Sequence, residues 1–226
     1  MPAYDDDKLE RTVSIPAGRV TLEGTLGIPS TATGIVLFAH GSGSSRFSPR
    51  NRYVARVFRD AGLGTLLLEL LSRSEEDVDD ITRHYRFDIA MLADRLVAAI
   101  DWLHNEPQGS DLPVGLFGAS TGGGAALVAA AARPDRVNAV VSRGGRPDLA
   151  ADALPRVEAP TLLIVGGHDD VVISLNERAR DAMRADVRLE IVPGASHLFE
   201  EPGTLEQVAA LARDWFLSHL HHPARR

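Results

Sequence analysis

Apolar residues along this chain fall into short continuous runs, separated by longer stretches in which they recur every three or four positions. Residues 34–40 (Gly-Ile-Val-Leu-Phe-Ala-His), 65–71, 114–119, 137–142 and 161–165 are such runs, and residues 187–192 read as a further strand. Runs of this length without alternation are expected of strands covered on both faces. Between them, residues 49–61 place Tyr53, Val54, Val57 and Phe58 on one helical face, with Gly62 near the end. Residues 87–103 do the same with Ile89, Leu92, Leu96, Ala99 and Ile100. Residues 175–183 and 205–220 read as two more helices, and an Ala-rich stretch before Arg133 as another. Residues 13–15 and 20–28 alternate around Ala17-Gly18, the pattern of an edge hairpin. Residues 72–85 are polar and acidic and read as a loop excursion.

Strands alternating with helices predict an α/β fold: a mostly parallel, doubly wound sheet with right-handed crossovers, preceded by an N-terminal hairpin. No repeat, linker or composition shift divides the chain. The expected organisation is a tail over residues 1–11, a single domain over 12–220 and a tail over 221–226.

One strand-to-helix junction carries chemistry. Residues 113–133 pass from an apolar run through Gly118-Ala119-Ser120-Thr121-Gly122 into the Ala-rich stretch. Gly-x-Ser-x-Gly between a strand and a helix is a nucleophile elbow: the turn is sharp and strained, and the serine hydroxyl stands at the positive end of the helix dipole. A serine hydroxyl also needs a general base, and the base an acid to fix its tautomer. In an open α/β sheet the reacting groups lie in loops at the carboxyl ends of strands. Residues 161–165 run into Gly166-Gly167-His168-Asp169-Asp170, and residues 187–192 into Pro193-Gly194-Ala195-Ser196-His197. The chain order Ser120, Asp169, His197 is the one this architecture requires. Asp170 competes with Asp169 for the acid role, and His168 for a place lining the site. His197 alone among the histidines follows the last strand and precedes the last helix.

An oxyanion needs two backbone N–H donors. One is expected from Thr121, the residue after the nucleophile, and the other from Ser42 in the loop His40-Gly41-Ser42-Gly43-Ser44-Ser45. Five arginines gather near predicted strand ends: Arg46, Arg50 and Arg52 after that loop, and Arg143 and Arg146 in Ser142-Arg143-Gly144-Gly145-Arg146. A guanidinium holds a carboxylate bidentately, so Arg143 and Arg146 are candidates for substrate binding. The acidic run from Glu75 to Asp80 lacks the glycine and ligand spacing of a calcium loop and reads as a solvated charge run.

Composition narrows the chemistry. The 226 residues, 44% hydrophobic, suffice for one well-buried core. A net charge of -7 argues against nucleic acid or an anionic membrane as partner. The absence of cysteine excludes disulfides, a thiolate nucleophile and a cysteine-based zinc site. The segment Met1 to Lys8 is acidic, without the apolar centre of a secretory signal, and no run reaches membrane-spanning length, so the expected location is cytoplasmic. Asp5 to Lys8 also looks like a protease-cleavable tag and is kept out of the fold reasoning.

With these motifs the chain resembles the α/β-hydrolase superfamily, and within it the dienelactone-hydrolase-like group, over roughly residues 12–220. The segments that carry the resemblance are residues 40–45, 118–122, 166–172 and Gly194-Ala195-Ser196-His197-Leu198-Phe199. True dienelactone hydrolases use a cysteine nucleophile where this chain has Ser120, so the serine form looks more like a small carboxylesterase. Lidded members of the superfamily insert a cap before the acid-bearing strand; residues 144–160 are too short for one, which implies an open site. The resemblance implies a cofactor-independent serine hydrolase acting on a small-molecule ester. Thioesterase, lactonase and acyltransferase activities use the same machinery, and a non-catalytic binding module on the same fold is the rival from another class.

Overall fold

In the computed structural model, residues 9–220 are described; the segment Asp5 to Lys8 and the expected tail over 221–226 lie outside them. Eight strands form one sheet: β1 (Glu10–Ala17), β2 (Val20–Gly27), β3 (Ile35–Ala39), β4 (Gly64–Leu68), β5 (Val114–Ala119), β6 (Val137–Arg143), β7 (Thr161–Gly166) and β8 (Val187–Val192). Their order across the sheet is β1-β2-β4-β3-β5-β6-β7-β8. β1 pairs antiparallel with β2 and β2 antiparallel with β4; every other pairing is parallel. This is the α/β-hydrolase arrangement, a parallel sheet carrying an N-terminal hairpin on its edge.

Burial follows from coverage. Every residue of β3, β4, β5 and β7 is buried, as their uninterrupted apolar runs require. At the edge, β1 alternates: Val13 and Ile15 face the core while Thr12 and Ser14 face water. Helices α1 (Pro49–Asp60) and α6 (Thr204–His219) cover one face. There Val54, Phe58, Val208 and Phe216 pack on Phe38 and Phe117. Helices α3 (Ile89–Asn105), α4 (Thr121–Ala132) and α5 (Asp170–Ala182) cover the other, where Leu96, Ile100, Ala126 and Ala179 join Leu37, Leu66 and Leu116. No helix of the described residues is long and apolar enough to cross a membrane.

Three expectations change. The hairpin is longer than residues 13–15 allowed, since β1 already pairs at Glu10 with Gly27. Helix α5 starts at Asp170 rather than near 175; Val171 is 73% exposed there and breaks the apolar periodicity. The excursion over 72–85 is mostly helical: α2 spans Arg73–Thr82. Ser72 caps it through a reciprocal box, its N–H and hydroxyl both donating to Glu75 Oε2 at 2.8 Å. The acidic run is therefore not simply solvated. Glu75 forks with Arg95 of α3, and Asp79, 1% exposed, pairs with Arg86. No group of these carboxylates is arranged to hold a metal ion among the described residues.

Between β6 and β7 there is no cap, only 3-10 turns over Pro147–Arg156. The central crossing is tight. A Cβ on Gly122 would sit 2.2 Å from Ala39 O and 2.6 Å from His40 O, so the first turn of α4 packs on the bare backbone at the end of β3. Gly122→Ala is expected to cost about 3 kcal/mol or more, because only backbone could yield. Gly18→Ala, in the hairpin turn at φ 66° with nothing within 4 Å, is expected to cost about 1–2 kcal/mol of left-handed strain. Urea unfolding of both variants checks this, and equal losses would contradict the packing account.

Candidate active site

The carboxyl ends of β3, β5, β6, β7 and β8 lie along one edge of the sheet, and the candidate residues occupy those strand ends, the loops that follow and the first turns of the next helices. Ser120 joins β5 to α4 at φ 50°, ψ -121°, a region that non-glycine residues rarely enter, at a cost of about 1–3 kcal/mol. Its own backbone holds it there. The Ser120 N–H donates to Arg143 O at 3.2 Å, and Ser120 O accepts from the N–H groups of Gly123 and Arg146 at 3.0 and 3.1 Å. The side chain consequently stands at the N-terminus of α4, where the helix dipole favours developing negative charge.

Asp169 and His197 come from adjacent strand ends. Val165 pairs with Ile191 and Gly166 with Val192, which brings the two loops into register. His168 N–H donates to Ala195 O at 2.9 Å and joins them. His197 Nδ1 lies 2.6 Å from Asp169 Oδ2. A carboxylate there fixes the proton on Nδ1 and leaves Nε2 as the basic nitrogen. Asp170 is the first residue of α5 and exposed, and His168 is exposed as well. Gly144 links this pair to the elbow: a Cβ there would lie 3.5 Å from His197 Nδ1, and the preceding residue is the one that accepts the Ser120 N–H. Ser120 Oγ has no hydrogen-bond partner among the described residues.

The loop after β3 closes the other side. A Cβ on Gly41 would meet Ser120 Cβ at 3.0 Å, so the loop backbone lies directly on Ser120. His40 anchors it: Leu70 N–H donates to His40 Nε2 at 3.2 Å, which leaves Nδ1–H to donate to Gly41 O at 3.0 Å. Ser42 N–H donates to Thr121 Oγ1 at 3.1 Å. The two residues expected to supply oxyanion donors thus touch, and the Ser42 N–H is taken by the threonine hydroxyl. The sequence reading considered only the Thr121 backbone N–H and missed this side-chain contact.

A cleft of about 580 Å³ opens beside them. The His40–Ser45 loop and Thr121 form one wall, and Glu76, Asp79 and Arg86 from α2 and its following turn form another. Sequence reasoning missed this second wall, although the Ser72-x-x-Glu75 capping box signalled it. Burial alone would raise the Asp79 carboxyl, but the bond from Arg86 Nε and the backbone N–H groups of Arg86 and Tyr85 outweigh burial and hold it below the ordinary carboxylate value. Glu76, in contrast, is raised, first by burial and then by the Glu69 charge nearby.

The candidate arginines separate into two kinds. Arg46 donates to Gly24 O and pairs with Glu23 at 2.6 Å. Arg146 is forked onto both oxygens of Asp148 at 2.8 and 2.7 Å, which uses the face that a substrate carboxylate would need. Arg50 pairs with Glu200 at 3.1 Å in the open, and Arg52 is exposed. Arg143 is buried, and its Nε and Nη1 have no partner.

The α2 wall gives a pH prediction. Because the folded Asp79 carboxyl lies below its unfolded value of about 3.9, its contribution is complete above that value. It is lost as pH falls through the lower, folded one. Arg86→Gln removes the partner and strands a buried carboxylate, for an expected loss of about 3 kcal/mol at pH 7. Urea midpoints from pH 7 to pH 3 should converge for wild type and variant at the acid end. Parallel curves would contradict the pairing.

The model of the dienelactone hydrolase family matches residues 22–220. A dienelactone hydrolase from Anabaena variabilis superposes with a TM-score of 0.93 at 64% identity, covering 94% of this chain and 98% of that one. Est1E from Butyrivibrio proteoclasticus shares the fold at a TM-score of 0.76 and 15% identity, over 92% of this chain and 98% of its own. A Mycobacterium tuberculosis protein that carries the provisional name phosphoribosyl transferase is 57% identical over 221 residues, 98% of this chain. The chain spans about half the length of the curated relatives it matches, 49% of that protein. With nearly its whole length matched by the family model, the chain belongs to the dienelactone hydrolase family.

Proposed function

We propose that this chain is a serine hydrolase that cleaves small carboxylic esters through an acyl-enzyme. The observation that carries the reading is the strained Ser120 elbow at the end of β5, with the 2.6 Å pairing of His197 and Asp169 beyond β6 at the ends of β8 and β7. Membership of a hydrolase family supports the coarser part, that the chain hydrolyses its substrate. In the mechanism, Ser120 Oγ attacks the carbonyl while His197 Nε2 takes its proton. Asp169 keeps the imidazole oriented and stabilises the imidazolium. The oxyanion forms at the N-terminus of α4, where the Thr121 N–H points, and draws the Ser42 N–H away from Thr121 Oγ1. His197 then protonates the leaving alcohol, and a water activated by the same nitrogen releases the acid. All proton movements run through one side chain, so the mechanism calls for no cofactor.

Phosphoribosyl transfer is assigned no part here. That name belongs to relatives of which this chain spans half, and the groups gathered at the elbow are those of acyl chemistry.

Ser120→Ala should lower kcat on an activated ester by about 10⁴–10⁶. Asp169→Asn should cost on the order of 10⁴ through loss of the productive tautomer, and Asp170→Asn far less. Steady-state kinetics on p-nitrophenyl acetate, with lactones and thioesters run beside it, measures all three variants. Activity of Ser120→Ala within tenfold of wild type would remove the nucleophile assignment. A larger loss at Asp170 than at Asp169 would move the acid by one residue, and turnover confined to lactones or thioesters would replace the ester.

A further inference from the structure

Thr121 is buried, at 4% exposure, yet it lines the cleft beside the elbow. Its hydroxyl accepts the Ser42 N–H at 3.1 Å, and among the described residues that is its only hydrogen bond. A threonine hydroxyl has two acceptor lone pairs and one proton to donate. Here a lone pair is used and the proton is not. Other threonines of the chain give theirs to main-chain carbonyls. Thr82, in the last turn of α2, donates to Val78 O at 3.0 Å, four residues back, the usual partner inside a helix. Thr161 donates to Ala159 O at 3.0 Å. Thr204 opens α6 just as Thr121 opens α4, and it still finds Glu201 O at 2.7 Å. For Thr121 the residue four back is Phe117, inside β5, and no helical carbonyl precedes it. Buried donors nearly always have an acceptor, so this one marks a place where the acceptor comes from elsewhere.

Its position says which acceptor. The loop after β3 and the elbow meet residue by residue. A Cβ on Gly41 would lie 3.0 Å from Ser120 Cβ, and the next pair along, Ser42 and Thr121, is the one joined by the hydrogen bond. The backbone N–H groups of these two residues are the donors expected for an oxyanion. The hydroxyl is carried by one of the two and bonded to the N–H of the other. An oxygen that takes both N–H groups therefore sits beside Oγ1. Once it draws the Ser42 N–H to itself, Oγ1 loses its only partner, and the nearest acceptor for its proton is that same negative oxygen. Threonine occupies two χ1 rotamers in helices, so the turn of the side chain that aims the proton is within its ordinary range.

We infer that the Thr121 side chain is a catalytic residue, a third donor to the oxyanion. Its lone pair holds the Ser42 N–H in place, and when that N–H passes to the forming oxyanion the hydroxyl directs its own proton to the same oxygen. This rests on the proposed esterase reading. The bond from Ser42 N–H to Oγ1 breaks, and the oxyanion receives the Ser42 N–H, the Thr121 N–H and the Thr121 O–H. The hydroxyl proton stays on Oγ1 throughout, while the proton lost by Ser120 goes to His197. Negative charge on the oxygen is far greater in the tetrahedral species than in the ester carbonyl, so the third donor acts on the rate and hardly on binding.

Thr121→Val and Thr121→Ser separate the hydroxyl from the shape of the side chain. On p-nitrophenyl acetate, Thr121→Val should lose about 10²-fold or more in kcat, the scale of one oxyanion donor, with KM little changed. Thr121→Ser keeps the hydroxyl and should retain most of the activity. A second readout needs no turnover. Ser120 Oγ displaces fluoride from the phosphorus of a fluorophosphonate probe, and the phosphoryl oxygen takes the oxyanion's place. The rate of this labelling should fall by a similar factor in Thr121→Val and hardly in Thr121→Ser. Tm is followed for each variant, and Thr121→Ala replaces the valine form if that does not fold. A kcat and a labelling rate in Thr121→Val equal to wild type or higher would overturn the inference and leave the hydroxyl a mere competitor for the Ser42 N–H. Equal losses in the valine and serine variants, or a valine loss carried by KM, would also overturn it, in favour of packing the loop. If wild type is labelled at Ser120 but turns over no ester, the esterase reading fails and the labelling rates alone decide the role of Thr121. No labelling of wild type would remove both.

Discussion

The approach of α4 to the end of β3 sets the geometry of everything at this edge of the sheet. Gly122 meets the Ala39 and His40 carbonyls where no Cβ fits, so helix and strand lock at backbone distance. That contact is possible only if the chain turns sharply at Ser120, which explains the positive φ. The same turn puts the Ser120 N–H on Arg143 and its carbonyl on Gly123 and Arg146, tying the elbow to the end of β6. The loop after β3 then lies on Ser120 through Gly41, and His197 lies against Gly144. Strain of about 1–3 kcal/mol at one residue is small beside the packing that imposes it. It holds the hydroxyl in place before any substrate arrives.

Charge is distributed around that frame by a different rule. Glu75 with Arg95 and Asp79 with Arg86 are pairs in which each partner's cost of burial is offset by the other, and Asp148 pairs with Arg146 nearer the surface. The first fastens α2 to α3, and the second holds α2 to the turn that follows it, which together build one wall of the cleft. Arg143 breaks the rule, with the Phe199 ring and another arginine, Arg50, for company.

Most of the architecture was legible because the apolar runs of β3 to β7 are continuous and the long helices are periodic. What escaped has specific causes. Helix α2 has two apolar residues, Val78 and Ile81, both exposed, so no periodicity marks it; it is held by a capping box and by ion pairs to α3 and to the turn after it. The start of α5 was missed because Val171 faces water. At the candidate site, Ser120, Asp169 and His197 were singled out because each follows a strand in a fixed order, and of these the structure brings Asp169 and His197 into contact. The contact between Ser42 N–H and Thr121 Oγ1 joins loops 79 residues apart, and no local pattern encodes it. Arg143 and Arg146 could not be ranked from composition, although the carboxylate two residues after Arg146 was a local hint.

The central claim is that backbone strain makes Ser120, and no other serine, the nucleophile. A fluorophosphonate probe reacts only with a serine whose hydroxyl is activated by a base and faces an oxyanion site. Treatment of the intact protein followed by peptide mapping should find one adduct, on Ser120, absent from Ser120→Ala and nearly absent from His197→Ala. An adduct on another serine, or no adduct on folded protein, would contradict the account.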